Sequence, residues 1–467
     1  MVKRFFHRIF GGENRIAVSA GIPASVCGSG YAFAGICGLL LAVLTLGIPS
    51  VFALTAVQEN AVQEKTDQQD AVQTICIDAD FPGGNIHLDS LEGDLVRIRP
   101  ELRGGNDWFY FAFRVKNAQG RTLRFLFNAK DRIASRGPAV SSDGGKSWRY
   151  LNTEPNADSR EFTYSFGPEE RSVLFALAPL YTQKNWDEFM AKYRGRDNVE
   201  LSALCQSPEG RDVELLRIGK GNPNARFAVV LTCRHHCCEM TASWVLEGIL
   251  EETLSENSQY GEYLRENAEF FVVPFMDKDG VEKGDQGKGR KPHDHNRDYN
   301  HEIYPEVRAL KAQVSRNFSP EDGKKIFFMD LHCPWIRSGI NEKFSSPLPK
   351  EPWISEAAQN YFESFEKHQK DGEIPYSPSN NLPFGKGWNT EKNFMKLENG
   401  IPTSSAKIWA CGLPNILCAC TIEMPYSNCS GVEILPQNAR ELGRNLSKAL
   451  VDFLKDSEKT EKTEKTE

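Results

Sequence analysis

The sequence predicts an α/β domain with a mixed, largely parallel sheet, preceded by a small antiparallel β-sandwich. Three observations predict it. Between residues 74 and 180, short alternating segments such as NIHLDSL, LVRIRPEL, WFYFAFRV, TLRFLFN and RSVLFAL are separated by Gly, Asn, Asp and Pro clusters. That alternation is the mark of antiparallel strands with one face buried. From about Tyr193 strands alternate with helical periodicity instead. The strands of this second region, such as RFAVVLTC at 226–233, are continuous apolar runs, as expected where both faces of a parallel sheet are covered.

Taken in order, residues 1–53 read as a leader. Lys3, Arg4, Arg8 and Arg15 make a basic start, no charge follows from Ile16 to Gln58, and 34–48 is rich in Leu, Ala, Val and Gly. Val51-Phe52-Ala53 has the small-x-small form of a signal-peptidase site. A retained membrane anchor is the alternative, since the apolar run is long enough to span. Either reading implies export, to the periplasm or medium or tethered facing outward. Residues 54–73 are polar and repeat AVQ, as a disordered linker does. The sandwich is expected over 74–185 and the α/β domain over 190–455. Its strands are expected at 226–233, 270–275, 326–331 and 416–422, and its helices at 239–254, 306–317, 355–370 and 437–454. The charged tail, 456–467, with its repetitive SEKTEKTEKTE, is expected to be solvated and structureless.

The 467 residues are 40% hydrophobic and 25% charged, enough apolar content for sizeable cores. The net charge is −7 with no long basic run, which argues against a nucleic-acid partner. Of 12 cysteines, two fall in the leader. Export would permit disulfides. However, Cys233, Cys237, Cys238, Cys333, Cys418 and Cys420 sit in or beside the motifs below, where buried free thiols are expected.

Four of these motifs end buried runs. His236-Cys-Cys-Glu239 follows the first strand at once, and its spacing can point an imidazole and a carboxylate at one ion. His235 is an alternative to His236, four residues from Glu239. Asp330-Leu-His332 ends the third strand, on the rim where ligands of parallel sheets bind. His332 would complete a His2Glu set with one open position, as catalytic zinc requires. Asp294-His-Asn296-Arg297 follows the second strand. Its amide and guanidinium suit a carboxylate, and Asp294 can fix the tautomer of a metal-bound His. Thr421-Ile-Glu423 ends the fourth strand, and a carboxylate there invites explanation because burying a lone charge is costly. Each motif alone is weak.

As an ordered set they resemble the zinc carboxypeptidases, the funnelins, and among them the cytosolic carboxypeptidase branch. RHHCCE stands for the first two metal ligands. PFMDKDGVEKGDQGKGRKPHDHNRDY resembles the P-x-x-N-P-D-G-V…D-x-N-R region, DLH supplies the third ligand and TIE the catalytic Glu. The resemblance covers roughly 212–454, and WFYFAFRV and SWRY also resemble that branch's amino-terminal domain. It implies one zinc per chain on His236, Glu239 and His332, with Glu423 as general base. Asn296 and Arg297 would bind the terminal carboxylate of a peptide or protein, with Asp294 behind the metal. The family's oxyanion Arg falls on Gly287 here, leaving Lys288 or Arg290 as substitutes. The family's Tyr some twenty residues before the catalytic Glu is missing. Lys407, sixteen before Glu423, matches the floor of the terminal side-chain pocket and implies a preference for acidic ends. A homologue that binds zinc or peptide with weakened catalysis, and a zinc amidase for cell-wall peptides, are the other functions this pattern allows.

Overall fold

The computed structural model describes residues 74–153 and 158–464. The leader and linker expected at 1–53 and 54–73 lie outside the described residues. No helix among the described residues is long and apolar enough to cross a membrane. Sandwich and α/β region fall within one compact unit, Asp70–Glu467.

The first region pairs β1 (Cys76–Asp78), β2 (His87–Glu92), β3 (Leu95–Arg99), β4 (Ala112–Lys116), β5 (Thr122–Phe127), β6 (Ala139–Ser141), β7 (Arg149–Tyr150), β8 (Glu161–Ser165) and β9 (Ser172–Ala176) into two sheets. Their orders are β1-β4-β9-β6-β7 and β2-β3-β5-β8. One pairing departs from the expected antiparallel pattern: β3 and β5 run parallel. Alternation builds the core. In β5, Thr122 and Arg124 face water while Leu123, Phe125 and Phe127 are buried. Phe125 stacks on Phe162 of β8 at 4.7 Å. Burying one such side chain contributes about 1.5–3 kcal/mol.

After α1 (Gln183–Met190) comes an antiparallel pair, β10 (Val199–Gln206) and β11 (Asp212–Ile218), that the apolar-run criterion passes over. Then follow β12 (Phe227–Cys233), α2 (Met240–Thr253), α3 (Gln259–Asn267), β13 (Ala268–Val273), α4 (Lys278–Lys283), α5 (Pro305–Asn317), β14 (Lys325–His332) and α6 (Pro352–Gln369). A short α7 (Glu391–Phe394), a hairpin of β15 (Leu397–Glu398) and β16 (Ile401–Pro402), α8 (Ala406–Cys411), β17 (Ile416–Glu423) and α9 (Pro436–Glu464) close the chain. The sheet order is β10-β11-β13-β12-β14-β17, parallel from β13 to β17. All seven residues of β12 are buried, which is why its sequence is unbroken by polar positions.

α2 and α9 cross at backbone contact: a Cβ on Gly248 would stand 2.0 Å from Arg440 O. α9 also corrects the expected tail. It runs to Glu464, taking in 456–464, because Glu and Lys are good helix formers that extend a helix already anchored by packing.

Candidate active site

The parallel strands bring their carboxyl ends to one rim. After β12 the chain turns sharply through Arg234, whose φ of 63° lies in the left-handed region that strains any residue with a Cβ. The guanidinium offsets this by donating to Cys237 O at 2.9 Å, Tyr181 O at 2.9 Å and Ser243 Oγ at 3.1 Å. The turn presents His236 and, at the N-cap of α2, Glu239. His236 Nδ1 lies 2.8 Å from Glu239 Oε1, and His332 Nδ1 at the end of β14 lies 2.7 Å from Glu239 Oε2. Donor atoms of His236, Glu239 and His332 all fall within 4.8 Å of one another. Glu423 ends β17 in register with His332. It faces a 260 Å³ cavity lined also by Trp108, His236, Glu239, Lys288, His332, Trp335 and Trp388.

Behind the imidazoles stand carboxylates. Asp294 Oδ1 is 3.2 Å from His236 Nε2, and Asp330 Oδ2 is 2.7 Å from His332 Nε2. Asp330 Oδ1 accepts from Thr232 Oγ1 at 2.8 Å and sits 2.8 Å from His235 Nδ1, whose other nitrogen meets Tyr299 OH at 2.8 Å. His235 therefore faces Asp330, and His236 faces Glu239. Asp330, His235 and His332 form a second trio of possible ligands, but neither Asp330 nor His235 lines the cavity.

The electrostatics suit a cation. Burial alone would raise Glu239, yet the imidazoles of His236 and His332 outweigh it and hold the carboxyl down to about 2. Burial disfavours charged His332, but Asp330 and Glu239 overcome this and raise it well above the usual histidine range. This is the field of a site built for positive charge, and a divalent ion between neutral imidazoles satisfies it as protons do. The two imidazole nitrogens and one carboxylate are a fitting donor set for zinc. Burial, followed by smaller opposing effects of His332 and Glu239, leaves Glu423 raised to about 7.

The cations separate. Lys288 lines this cavity and an adjoining 590 Å³ one, lined also by Trp108, Arg290, Lys291, Asp294, Arg297 and Lys396. Arg290 is engaged below, with its Nε 2.8 Å from Asp277 Oδ2 and a second ion pair to Asp285. Arg297 donates to Asn393 O at 3.1 Å and Asn296 O at 2.7 Å, and covers the Phe394 ring at 4.6 Å. Asn296 is turned inward: its Nδ2 donates to Asp330 Oδ2 at 3.1 Å and its Oδ1 accepts from Ala406 N at 2.9 Å. Lys407 also approaches Phe394, 5.7 Å from that ring, and is bonded to Pro347 O. It lines a separate 130 Å³ cavity and neither of the two beside His236. Tyr426 is buried, its hydroxyl 3.7 Å from Cys238 Sγ. All ten cysteines among the described residues are free thiols.

Sequence reasoning missed Asp330 as a support, although it stands two residues from His332 on a fully buried stretch of strand. It also missed Trp108, Trp335 and Trp388 around the cavity. No local pattern marks those three, because they arrive from separate loops.

Residues 182–345 match the family model described as zinc carboxypeptidase, so that stretch is similar to a domain of zinc peptidases. Its relatives include an uncharacterized protein of Zymomonas mobilis, 24% identical over 82% of this chain and 97% of that one. Cytosolic carboxypeptidase 3 of Mus musculus is 26% identical over 60% of this chain and 31% of its own length. The chain thus spans about a third of the cytosolic carboxypeptidase it matches. A metallo-carboxypeptidase from Burkholderia cenocepacia superposes with TM-score 0.66 and 19% identity, over 82% of this chain and 100% of the other. One from Pseudomonas aeruginosa, in complex with (2-guanidinoethylmercapto)succinic acid, gives 0.65 and 22%, over 81% and 99%. At such identities the likeness shows a shared fold.

Proposed function

We propose that this protein is a zinc-dependent carboxypeptidase that removes the terminal residue from peptides or proteins. The observation that carries the reading is Glu423 facing the same cavity as the His236–Glu239–His332 donor cluster. Those three residues hold one zinc per chain, with Asp294 and Asp330 fixing the two imidazoles from behind. Zinc in that set supplies a Lewis acid for the scissile carbonyl and acidity to a water. Glu423 takes a proton from the attacking water and delivers it to the leaving amine as the C–N bond breaks. Its raised carboxyl suits both steps, since a base tuned toward neutrality is also a competent acid.

Arg297, lining the larger cavity, binds the terminal carboxylate, and Asn296 steadies that region from beneath. This contact makes the enzyme an exopeptidase, because only a chain end offers the charge. Lys288 faces both cavities and stabilises the developing oxyanion, the part the sequence left between Lys288 and Arg290. The larger cavity is lined by Lys288, Lys291, Arg297 and Lys396 against Asp107, Asp294 and Glu398, a basic excess that favours acidic terminal residues by charge complementarity.

The test is the purified zinc-loaded protein offered C-terminal peptide libraries and cell-wall stem peptides, with products read by mass spectrometry. Loss of single C-terminal residues, abolished by a chelator, is the expected result. Cleavage confined to wall peptides, or no cleavage at full zinc occupancy, would sink the reading.

A further inference from the structure

Trp108 belongs to the sandwich, yet it lines both catalytic cavities. Its ring lies 5.1 Å from Lys288 Nζ. Among the described residues, no ion pair or hydrogen bond is made by that ammonium, so the ring is the contact that holds it, while the charges of Arg297, Asp294, Glu239 and Glu423 act on it from further off. The ring is itself fixed from two sides: edge-on to Trp335 at 4.9 Å, and 5.4 Å from Phe109.

The backbone around Trp108 also grips the loop that carries Lys288. Trp108 N and Tyr110 N both donate to Gln286 Oε1, at 3.2 and 3.0 Å, and Gln286 Nε2 donates back to Tyr110 O at 2.8 Å. Asn106 N donates to Gly289 O at 3.3 Å. Lys288 stands between Gly287 and Gly289, whose φ values of 82° and 75° suit glycine. A Cβ on Gly287 would come 2.6 Å from Cys238 Sγ, in the metal-ligand turn, and one on Gly289 would come 2.5 Å from Asn106 Nδ2. The loop is thus wedged between that turn and the sandwich.

We propose that Trp108 is a positioning residue for Lys288: its face holds the ammonium over the catalytic cavity, so the sandwich completes the active site. The inference rests on the reading that Lys288 stabilises the oxyanion. A lysine is a flexible point charge with several rotatable bonds. An aromatic face restricts it without neutralising it, as a carboxylate would. That is the support an oxyanion cation needs, since its charge must remain available to the reacting carbonyl.

The experiment is a double-mutant cycle on the full zinc-loaded chain, with kcat and KM measured on a C-terminal peptide and zinc content checked for each variant. Lys288→Ala is expected to lower kcat by about 10²–10³. Trp108→Leu should lower kcat about tenfold with KM changed less than about twofold, and Trp108→Phe, which keeps a weaker ring, should fall between. In the Lys288→Ala background, Trp108→Leu should add less than about a further twofold. Equal losses from Trp108→Leu with and without Lys288 would show that the ring acts on its own, and wild-type kcat in both Trp108 variants would also overturn the proposal. Wild-type kcat in Lys288→Ala would instead overturn the oxyanion assignment, and the inference with it. If Trp108→Leu does not fold, the same cycle with Trp108→Phe decides.

Discussion

The turn after β12 and the loop before Asp294 both offer two like side chains close together, and each sends them to different places. In the turn, His236 meets Glu239 while His235 meets Asp330. In the loop, Lys288 reaches the cavities while Arg290 pairs with Asp277 and Asp285. The difference lies in what holds each segment. The turn is fixed from the sheet beneath it, where Asp330 on β14 meets His235, and by the bonds of Arg234 to Cys237 O, Ser243 Oγ and Tyr181 O. The loop is fixed by the sandwich, through Asn106, Trp108 and Tyr110. The proposed metal donors are thus set mainly from within the α/β region, whereas the proposed oxyanion cation depends on the sandwich.

Breaking the sheet-held part should have the largest effect. His236→Ala should lose stoichiometric zinc and nearly all activity, while His235→Gln should still bind zinc at saturation. Metal analysis showing the reverse would exchange the two histidines. Glu423→Gln should keep zinc and lose on the order of 10²–10⁴ in kcat. Near-normal turnover would remove Glu423 from the mechanism.

A subtler break lies one layer out. Asp330→Asn should weaken zinc by about 10–100-fold in a chelator competition, because His332 loses the partner of its far nitrogen. Unchanged affinity would mean that Glu239 and the strand orient His332 unaided.

Beneath the loop, Glu306 gives a pH test. Burial raises its carboxyl to about 8, and the nearby charges of Asp277 and Asp279 add to this. The folded state then holds this proton more tightly than the unfolded one, so wild-type stability falls as pH rises from about 4.5 to about 8. Glu306→Gln removes that slope. Its melting temperature relative to wild type should therefore climb between about pH 5 and 8, and a constant difference would show that Glu306 does not titrate there.

The smallest effect is expected at Lys407. It is bonded to Pro347 O and lines neither of the two cavities, so its loss to Ala should change kcat/KM less than about twofold, equally for Glu and Leu ends. A selective loss for Glu ends would bring Lys407 back to the pocket floor.

The sequence alone determined the two-region architecture, the buried strands and the motifs that end them. Those features are local: period-two alternation, continuous apolar runs, and polar residues where a run stops. Because β12, β14 and β17 are parallel, the carboxyl ends of their runs had to meet on one rim, so His236, Glu239, His332 and Glu423 were legible together. The β10–β11 pair was not, since β10 is largely exposed and polar Glu214 and Arg217 interrupt the run of β11, and the helical end of α9 was hidden by a composition common in disordered tails. Only the tertiary structure decided which of His235 and His236 faces Glu239, which of Lys288 and Arg290 reaches the cavity, and where Lys407 lies. For His235 the choice depends on a partner far along the chain, Asp330; for Arg290 and Lys407 it depends on how their own segments fold, onto Asp277 and Asp285 and beside Phe394. Trp108 is the extreme case, because nothing within its own strand-rich region records that it faces a lysine 180 residues away.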